Sequence, residues 1–257
     1  LKELYIDGTK LEANANRYTF VWRGSLNYHL AGLLDTIDAL YTKYNAFLLD
    51  NGYGPKYDLG DAHMFVIEGM DKVRKIIQKN RERKLTKHKK IPNNTIIEID
   101  HCSPLEIRKL QKNLMRIAEG EGIEFVFGKG MRKPEIQKLY EGLEECGKRL
   151  MEYKECFKIM GKDRNSYSKT DLEATFMRMK EDHMMNGQLK PAYNVQIAVE
   201  NYFIVHGYVS NDRTDYNTLI PVLEKHRKAF GDKLEAVTAD SGYCSEKNLL
   251  YLKENGI

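Results

Sequence analysis

The sequence predicts an α/β fold in which a mixed sheet is interrupted by a large, mostly helical insertion. Two short apolar runs, at residues 4–6 and 236–239, each end in an aspartate beside residues typical of turns. A third run, residues 193–209, alternates apolar and polar residues as paired strands do. Between about residues 21 and 190, apolar residues recur mainly at helical spacing. These patterns predict a sheet whose parts lie at both ends of the chain.

The overall charge is mild, but its distribution is uneven. The chain has 257 residues with 41 Lys and Arg against 37 Asp and Glu, a net charge of +4. That excess does not establish a polyanionic partner. Residues 72–90 hold ten basic side chains and one acid, Glu82. Such a block either follows nucleic-acid phosphates or is a solvated arm.

Cysteine usage and hydropathy exclude several classes of protein. The four cysteines show no CxxC spacing and have no paired histidines nearby, which argues against a zinc site or a disulfide framework and favours reduced thiols. No apolar run approaches the roughly 18 residues of a membrane span, and no signal peptide opens the chain. We therefore expect no membrane association.

The first two thirds of the chain predicts one strand and several helices. The opening strand ends at Asp7, where Gly8 is expected to turn the backbone. Helices are predicted over residues 26–47, 62–83 and 105–117. A heptad pattern over residues 134–161 predicts a long helix that pairs with the 105–117 helix as a coiled-coil-like hairpin or mediates dimerisation.

The last third returns to strands. Residues 170–173 read as a capping box that opens a short helix carrying Arg178 and Lys180. A strand follows over residues 193–199, in which Asn194 and Gln196 are interpreted as the solvent side of an edge strand. The remaining predictions are a second strand at 202–209, a helix capped by Thr214 or Asp215, a strand at 234–239, and a final helix capped by Ser245.

This order of elements, with residues 20–190 set aside, is that of a ribonuclease H-like core up to its fourth strand. In that fold the first and fourth strands are neighbours, so Asp7 and Asp240 would lie about one strand spacing apart, near 4.8 Å. Two carboxylates at that spacing can hold divalent cations. The alternative is that each aspartate only caps the turn after it.

Longer strings of residues resemble a known family. Residues 7–22, from Asp7-Gly8-Thr9 to Trp22, resemble the first acidic motif of bacterial insertion-sequence transposases of the DDE type. Residues 164–196 are similar to the segment that leads into their second strand, and residues 240–248, beginning Asp240-Ser241-Gly242-Tyr243, resemble their second acidic motif.

The resemblance implies a DNA transposase core that nicks insertion-sequence ends and joins them to target DNA, using Mg²⁺ or Mn²⁺, with two ions expected. It implies that Asp7 and Asp240 are the first two metal-binding carboxylates. The third, a glutamate, is expected beyond Ile257, and the N-terminal DNA-binding region of the family has no counterpart here. The implied partners are double-stranded terminal-repeat and target DNA and a second copy of the chain, in the bacterial cytoplasm at the nucleoid.

On this reading the chain divides into residues 1–20, the first strand with its acidic motif, 21–190, the helical insertion, and 191–257, the rest of a core truncated before its fifth strand. Basic side chains near the strand ends are candidate phosphate contacts, and Tyr18 and Trp22 are candidates for stacking on a base. The alternatives are surface solubility and core packing. The basic candidates are Lys10, Arg17, Arg178, Lys180 and Lys190.

Two other functions stay open at this stage. The chain could be a catalytically incomplete remnant that acts only as a DNA-binding or interaction fragment. It could also be a ribonuclease H-like nuclease without strand transfer.

Overall fold

A computed structural model describes residues 2–53, 104–161, 164–179, 187–231 and 233–257. The described chain is α/β with a mixed sheet, as predicted. It divides into two compact units. The sheet unit comprises Leu1–Trp22 and Ile159–Ile257, and the helical unit comprises Arg23–Lys158. The basic block at 72–90 and the predicted helix at 62–83 lie outside the described residues.

The described elements are strands, α-helices and short 3-10 helices. The strands are β1 (Glu3–Glu12), β2 (Phe20–Trp22), β3 (Ser166–Ser168), β4 (Thr175–Arg178), β5 (Leu189–Glu200), β6 (Phe203–Ser210) and β7 (Ala236–Ala239). The α-helices are α1 (Arg23–Asp50), α2 (Pro104–Gly120), α3 (Glu135–Met160), α4 (Leu219–Phe230) and α5 (Glu246–Glu254). Short 3-10 helices span Asp215–Asn217 and Ser241–Tyr243. None of the helices in the described ranges is long and apolar enough to cross a membrane.

The main sheet is built around β5 and β1. Strand β5 pairs with β1 along one edge and with both β4 and β6 along the other. Strand β7 pairs with the free edge of β1 in parallel, while the other pairings in this sheet are antiparallel. Strands β2 and β3 form a separate two-stranded sheet. The two ends of the chain therefore meet at the β1–β7 pair.

The first strand is longer than predicted, and Asp7 is not at its tip. Strand β1 continues to Glu12 because β5 keeps pairing with it, from Tyr5 opposite Val199 to Glu12 opposite Ala192. Only the parallel pairing with β7 stops early. The expectation that Gly8 turns the backbone away is therefore wrong, since Gly8 pairs with Gln196 inside the strand.

The core of the sheet unit lies on one face of the main sheet. Leu4 and Ile6 of β1 and Ala198 of β5 are buried there against Leu219, Val222 and Leu223 of α4 and against Tyr243. The predicted final helix is confirmed as α5, and Ser245 caps it by accepting a hydrogen bond from the backbone N–H of Asn248. Burial of these side chains supplies the hydrophobic stabilisation that holds α4 on the sheet.

The predicted short helix after residue 170 is wrong, because this segment forms β4. The Asp171 carboxylate accepts hydrogen bonds from the backbone N–H groups of Glu173 and Ala174, which closes a tight turn instead of starting a helix. The Tyr193 hydroxyl also donates to Asp171. Residues 164–179 thus belong to the sheet unit, and the helical unit spans Arg23–Lys158.

The helical unit contains the predicted hairpin. Its core joins α1, α2 and α3 through side chains that include Ile107 and Leu114 of α2 and Leu143 of α3. Helices α2 and α3 run antiparallel, since Arg108 near the start of α2 contacts Met151 near the end of α3. Helix α1 adds a third layer, in which Leu40 packs against Gly142 of α3. The heptad positions of α3 are thus used for packing within the chain.

Candidate functional site

Asp7 and Asp240 follow the last paired residues of two neighbouring parallel strands. The β1–β7 pairing ends with Ile6 opposite Ala239, so the next residue on each strand is an aspartate. Adjacent strands lie about 4.8 Å apart. The fold therefore places two aspartates from distant parts of the sequence next to each other along the backbone of neighbouring strands.

Both aspartates border an open face of the sheet. Along β1 the residues that alternate with the buried Leu4, Ile6 and Gly8 are exposed, and Asp7 is one of these. A depression of about 670 Å³ covers this face. Its lining includes Tyr5, Asp7, Thr9, Ile197, Val199 and Asp240. A ligand at this depression would have carboxylates at its edge and apolar strand residues beneath it.

The backbone orients both carboxylates. Oδ1 of Asp7 accepts a hydrogen bond of 2.8 Å from the N–H of Gly8. Oδ1 of Asp240 accepts one of 2.8 Å from the N–H of Gly242 and so caps the 3-10 helix at Ser241–Tyr243. Asp240 is thus both a turn cap and a neighbour of Asp7, so the two sequence interpretations are not exclusive.

Carboxylate oxygens are the ligands that Mg²⁺ prefers, and Mg²⁺ typically takes one or two of them and keeps several waters. Asp7 and Asp240 fit that donor set. Within the described ranges there is no group of three or more His, Cys, Asp or Glu side chains that could hold a metal ion. The arrangement suits a partly hydrated hard cation at an open face.

A buried polar network lies beside the two aspartates, and the sequence interpretation missed it. Asn194 and Gln196 of β5 are 1% and 0% exposed, so their assignment to the solvent side of an edge strand is wrong. The Asp215 Oδ1 atom accepts hydrogen bonds from Asn194 Nδ2 at 2.8 Å and from Gln196 Nε2 at 3.0 Å. The Tyr243 hydroxyl donates to Gln196 Oε1. Asp215, predicted as a possible helix cap, instead bonds to β5.

The pKa of the Tyr243 hydroxyl is affected by the negative charges of this region. Burial raises the pKa of its hydroxyl well above the usual range, and the negative charges of Asp215, Asp7 and Asp240 raise this pKa further. The hydroxyl is therefore protonated at neutral pH and acts as a hydrogen-bond donor to Gln196. A signal in the sequence was available, since Asn194 and Gln196 are the only strongly polar residues between Pro191 and Val199 of this strand.

Gly8 has no side chain and so leaves room for this network. A substitution at Gly8 therefore tests how closely the network packs against β1. A Cβ atom at position 8 would lie 2.5 Å from Gln196 Nε2 and 3.0 Å from Asp215 Oδ1. We expect Gly8→Ala to lower the free energy of unfolding by about 1–3 kcal/mol, as overpacking does. Urea unfolding followed by circular dichroism measures this. Gly207→Ala is the control, because its Cβ would lie 3.5 Å from Gln196 O.

The control should leave stability unchanged or raise it by up to about 1 kcal/mol. Equal effects of Gly8→Ala and Gly207→Ala would contradict the close packing at Gly8.

Two of the candidate phosphate contacts share one acidic partner. Glu12 Oε1 lies 2.7 Å from Arg17 Nη2, and Glu12 Oε2 lies 2.8 Å from Lys190 Nζ. The hydrogen bond from Lys190, together with Arg17, holds the pKa of the Glu12 carboxyl below its usual range. Arg17 and Lys190 are therefore brought together at one end of the sheet, but Glu12 offsets part of their charge.

The other candidates are scattered. Lys10 is half-buried on β1, Arg178 is exposed at the end of β4, and Lys180 lies outside the described residues. Tyr18 is 80% exposed. The Trp22 ring packs with its centroid 5.8 Å from that of the buried Phe176 and 6.0 Å from that of Phe20. Trp22 thus belongs to a packed aromatic cluster, while the Tyr18 ring is accessible.

One comparison with known proteins gives a match to part of this chain. Residues 164–257 match the family model described as the transposase DDE domain. This match implies a transposase-type function in general terms. It covers β3 to α5, including Asp215 and Asp240, while Asp7 lies outside it. Comparison with curated proteins and with solved structures found no significant match.

Proposed function

Since residues 164–257 match the transposase DDE domain family, we propose that the chain is the catalytic core of a DNA transposase. In this proposal it cleaves DNA at insertion-sequence ends and joins the freed strands to a target. The observation that carries the proposal is the parallel β1–β7 pairing, in which Asp7 and Asp240 directly follow the last paired residues. Asp7 comes from outside the matched segment, so its position beside Asp240 supports the proposal independently of the match.

The order of strands supports a ribonuclease H-like core. Strand β5 lies between β1 and β6, and β7 runs parallel to β1 on the other side. Helix α4 connects β6 to β7 and packs on the sheet. In this proposal the helical unit, residues 23–158, is an insertion between the first strand and the rest of the core.

The proposed cofactor is Mg²⁺ or Mn²⁺, as two ions, held by Asp7 and Asp240. When bound, such ions activate an attacking oxygen and stabilise a leaving oxygen in an in-line displacement at phosphorus. The backbone N–H groups of Gly8 and Gly242 orient the two carboxylates. Ile197 and Val199 supply apolar surface to the lining of the depression.

The proposed partner is double-stranded DNA, at terminal repeats and at the target, bound by two copies of the chain in the bacterial cytoplasm. Lys10, Arg17, Arg178, Lys180 and Lys190 are the proposed phosphate contacts, and Tyr18 is the proposed stacking residue. The exposure of the Tyr18 ring and the clustering of Arg17 with Lys190 support these assignments.

Neutralising Glu12 tests the proposed phosphate contacts. Because Glu12 pairs with Arg17 and Lys190, Glu12→Gln should remove the single negative charge that offsets them and so add one net positive charge to this surface. We expect binding of a duplex to tighten about threefold at low salt, and the slope of log K against log salt to steepen by about one, as one more neutralised phosphate gives. Fluorescence anisotropy of a labelled duplex over a salt series measures both.

Glu3→Gln is the matched control for charge, since Glu3 is exposed on the same strand. If the slope of log K against log salt is the same for Glu12→Gln and Glu3→Gln, Arg17 and Lys190 do not contact DNA phosphates.

Two alternative functions are distinguished by experiment. A chain that only binds DNA would neither cleave nor join it. A nuclease without strand transfer would share the same two aspartates. The test is an assay with DNA flanking the coding gene as donor and a supercoiled plasmid as target, in Mg²⁺ or Mn²⁺. Joined products support a transposase, cleavage alone supports a nuclease, and neither product supports a binding fragment.

A further inference from the structure

Asp215 lies in a short turn that connects β6 to α4, yet its side chain is directed into the sheet unit. Its Oδ1 atom accepts two hydrogen bonds from the amides of Asn194 and Gln196, both buried on β5. Asp215 is partly buried, and placing a carboxylate there is costly unless it is hydrogen-bonded. Two amide donors meet that requirement on one oxygen. The turn is therefore held to the central strand by charge-assisted hydrogen bonds.

These bonds determine the orientation of the Gln196 amide. Its Nε2 group donates to Asp215 and, at 2.8 Å, to Asn194 Oδ1. Both amide hydrogens are thus used, and Oε1 is left as the acceptor for the Tyr243 hydroxyl. Tyr243 donates to Gln196, and Gln196 donates to Asp215. The orientation of each side chain therefore depends on its hydrogen-bond partner in this network.

The network reaches both acidic motifs. Tyr243 is in the 3-10 helix that Asp240 caps, and its N–H donates to the Asp240 carbonyl at 3.2 Å. A Cβ atom built on Gly242 would lie 2.9 Å from Asp240 Oδ1 and 3.5 Å from Asp215 Oδ2, so the two carboxylates approach the same point. On the other side, Gly8 next to Asp7 packs against Gln196 and Asp215.

A second contact joins the same two turns. The Asn248 side chain, which is 1% exposed, donates through Nδ2 to the carbonyls of Tyr216 at 2.9 Å and Tyr243 at 2.7 Å. The turn that carries Asp215 and the turn that follows Asp240 are thus connected directly as well as through β5.

We infer that Asp215 is a positioning residue for the two proposed metal-binding carboxylates, acting through Gln196 on Gly8 and through Tyr243 on the Asp240 turn. This inference rests on the proposed function. It assigns Asp215 no direct contact with the metal, and it predicts that the network sets the separation of Asp7 and Asp240 for cation binding. Loss of the network should therefore weaken cation binding even when all three carboxylates are present.

Tyr243→Phe tests the network without changing any carboxylate. It removes the hydroxyl that bonds to Gln196 and keeps Asp7, Asp215 and Asp240. The probe is Mn²⁺ alone, and its Kd is measured by electron paramagnetic resonance of free Mn²⁺ or by calorimetry on the intact chain. We expect the Kd to rise about 10-fold for Tyr243→Phe and about 10-fold to 100-fold for Asp215→Asn, the range for outer-shell partners of metal ligands.

Two matched controls use the same chemical changes. Asp212→Asn alters a carboxylate in the same connection that bonds to Thr214 and Asn217 and not to the network. Tyr208→Phe alters a partly buried tyrosine packed against the same core. Both should leave the Mn²⁺ Kd within about twofold of the wild-type value. The Tm without metal is measured for every variant, since a purely structural role would lower the Tm and leave the Kd unchanged.

Asp7→Asn and Asp240→Asn distinguish the proposed metal site from the positioning role of Asp215. If these variants lose Mn²⁺ binding while Tyr243→Phe and Asp215→Asn bind as the wild type does, the positioning role is wrong and the proposed metal site stands. If Asp7→Asn and Asp240→Asn bind Mn²⁺ normally, the metal site itself is wrong and the positioning role fails with it. Should Asp215→Asn not fold, Tyr243→Phe decides the question by the same threshold.

Discussion

Replacing either Asp7 or Asp240 by asparagine should lower metal-dependent DNA cleavage by more than about 100-fold, since even outer-shell partners of a metal ligand contribute about 10-fold to 100-fold. Asparagine keeps the size of the side chain and one oxygen but removes the charge that a hard cation requires. The two variants should also lose Mn²⁺ binding. The measurements are cleavage of DNA flanking the coding gene in Mn²⁺ and direct Mn²⁺ titration of the chain.

The double variant distinguishes a shared site from two separate ones. If both carboxylates hold the same ions, Asp7→Asn with Asp240→Asn should be no worse than the more damaging single variant, because residues that act as a unit are not additive. The control is Asp35→Asn in the helical unit, far along the chain from either motif. Cleavage by Asp7→Asn or Asp240→Asn at the wild-type rate would refute the assignment of both residues.

The second large effect concerns the aromatic cluster of the sheet unit. Phe176 is 1% exposed and contacts the rings of Phe20 and Trp22. Phe176→Ala should lower the free energy of unfolding by about 3–5 kcal/mol, because it removes a buried ring and leaves a cavity. Trp22 is the single tryptophan of the chain, so its fluorescence during urea unfolding reports on this cluster directly.

Phe203→Ala is the matched control, since Phe203 lies on β6 of the same unit and is 75% exposed. Its effect should stay within about 0.5 kcal/mol. Phe176→Leu, which removes fewer atoms, should fall between the two. A loss below about 1 kcal/mol for Phe176→Ala would mean that the cluster contributes little to the stability of the sheet unit.

Periodicity identified the elements whose packing partners follow a regular spacing. The heptad over 134–161 corresponds to α3, and the apolar residues at 26–47 correspond to α1, because a helix that buries one face must repeat its apolar residues every three or four positions. Alternation in the same way revealed β5 and β6. The ends of these elements were predicted less accurately than their type, since β5 begins at Leu189 and not near residue 193.

Local signals failed where a distant partner overrides them. The capping-box residues 170–173 would start a helix in isolation, but Tyr193 bonds to Asp171 and β5 pairs with residues 175–178. Gly8 has the local character of a turn residue, yet β5 extends the strand past it. In both places a strand formed more than ten residues away determines the backbone, and that information is not present in a short window of sequence.

The sequence by itself determined the α/β class, the amphipathic helices and the two aspartates that follow short apolar runs, because these depend on spacing along the chain. The tertiary structure alone decided the register between paired strands and which face of each strand is buried. It set Asp240 beside Asp7 and enclosed Asn194, Gln196, Asp215 and Tyr243 in one network. Side chains on one strand alternate between faces whatever lies above them, so only the helix that packs on one face determines which side is buried.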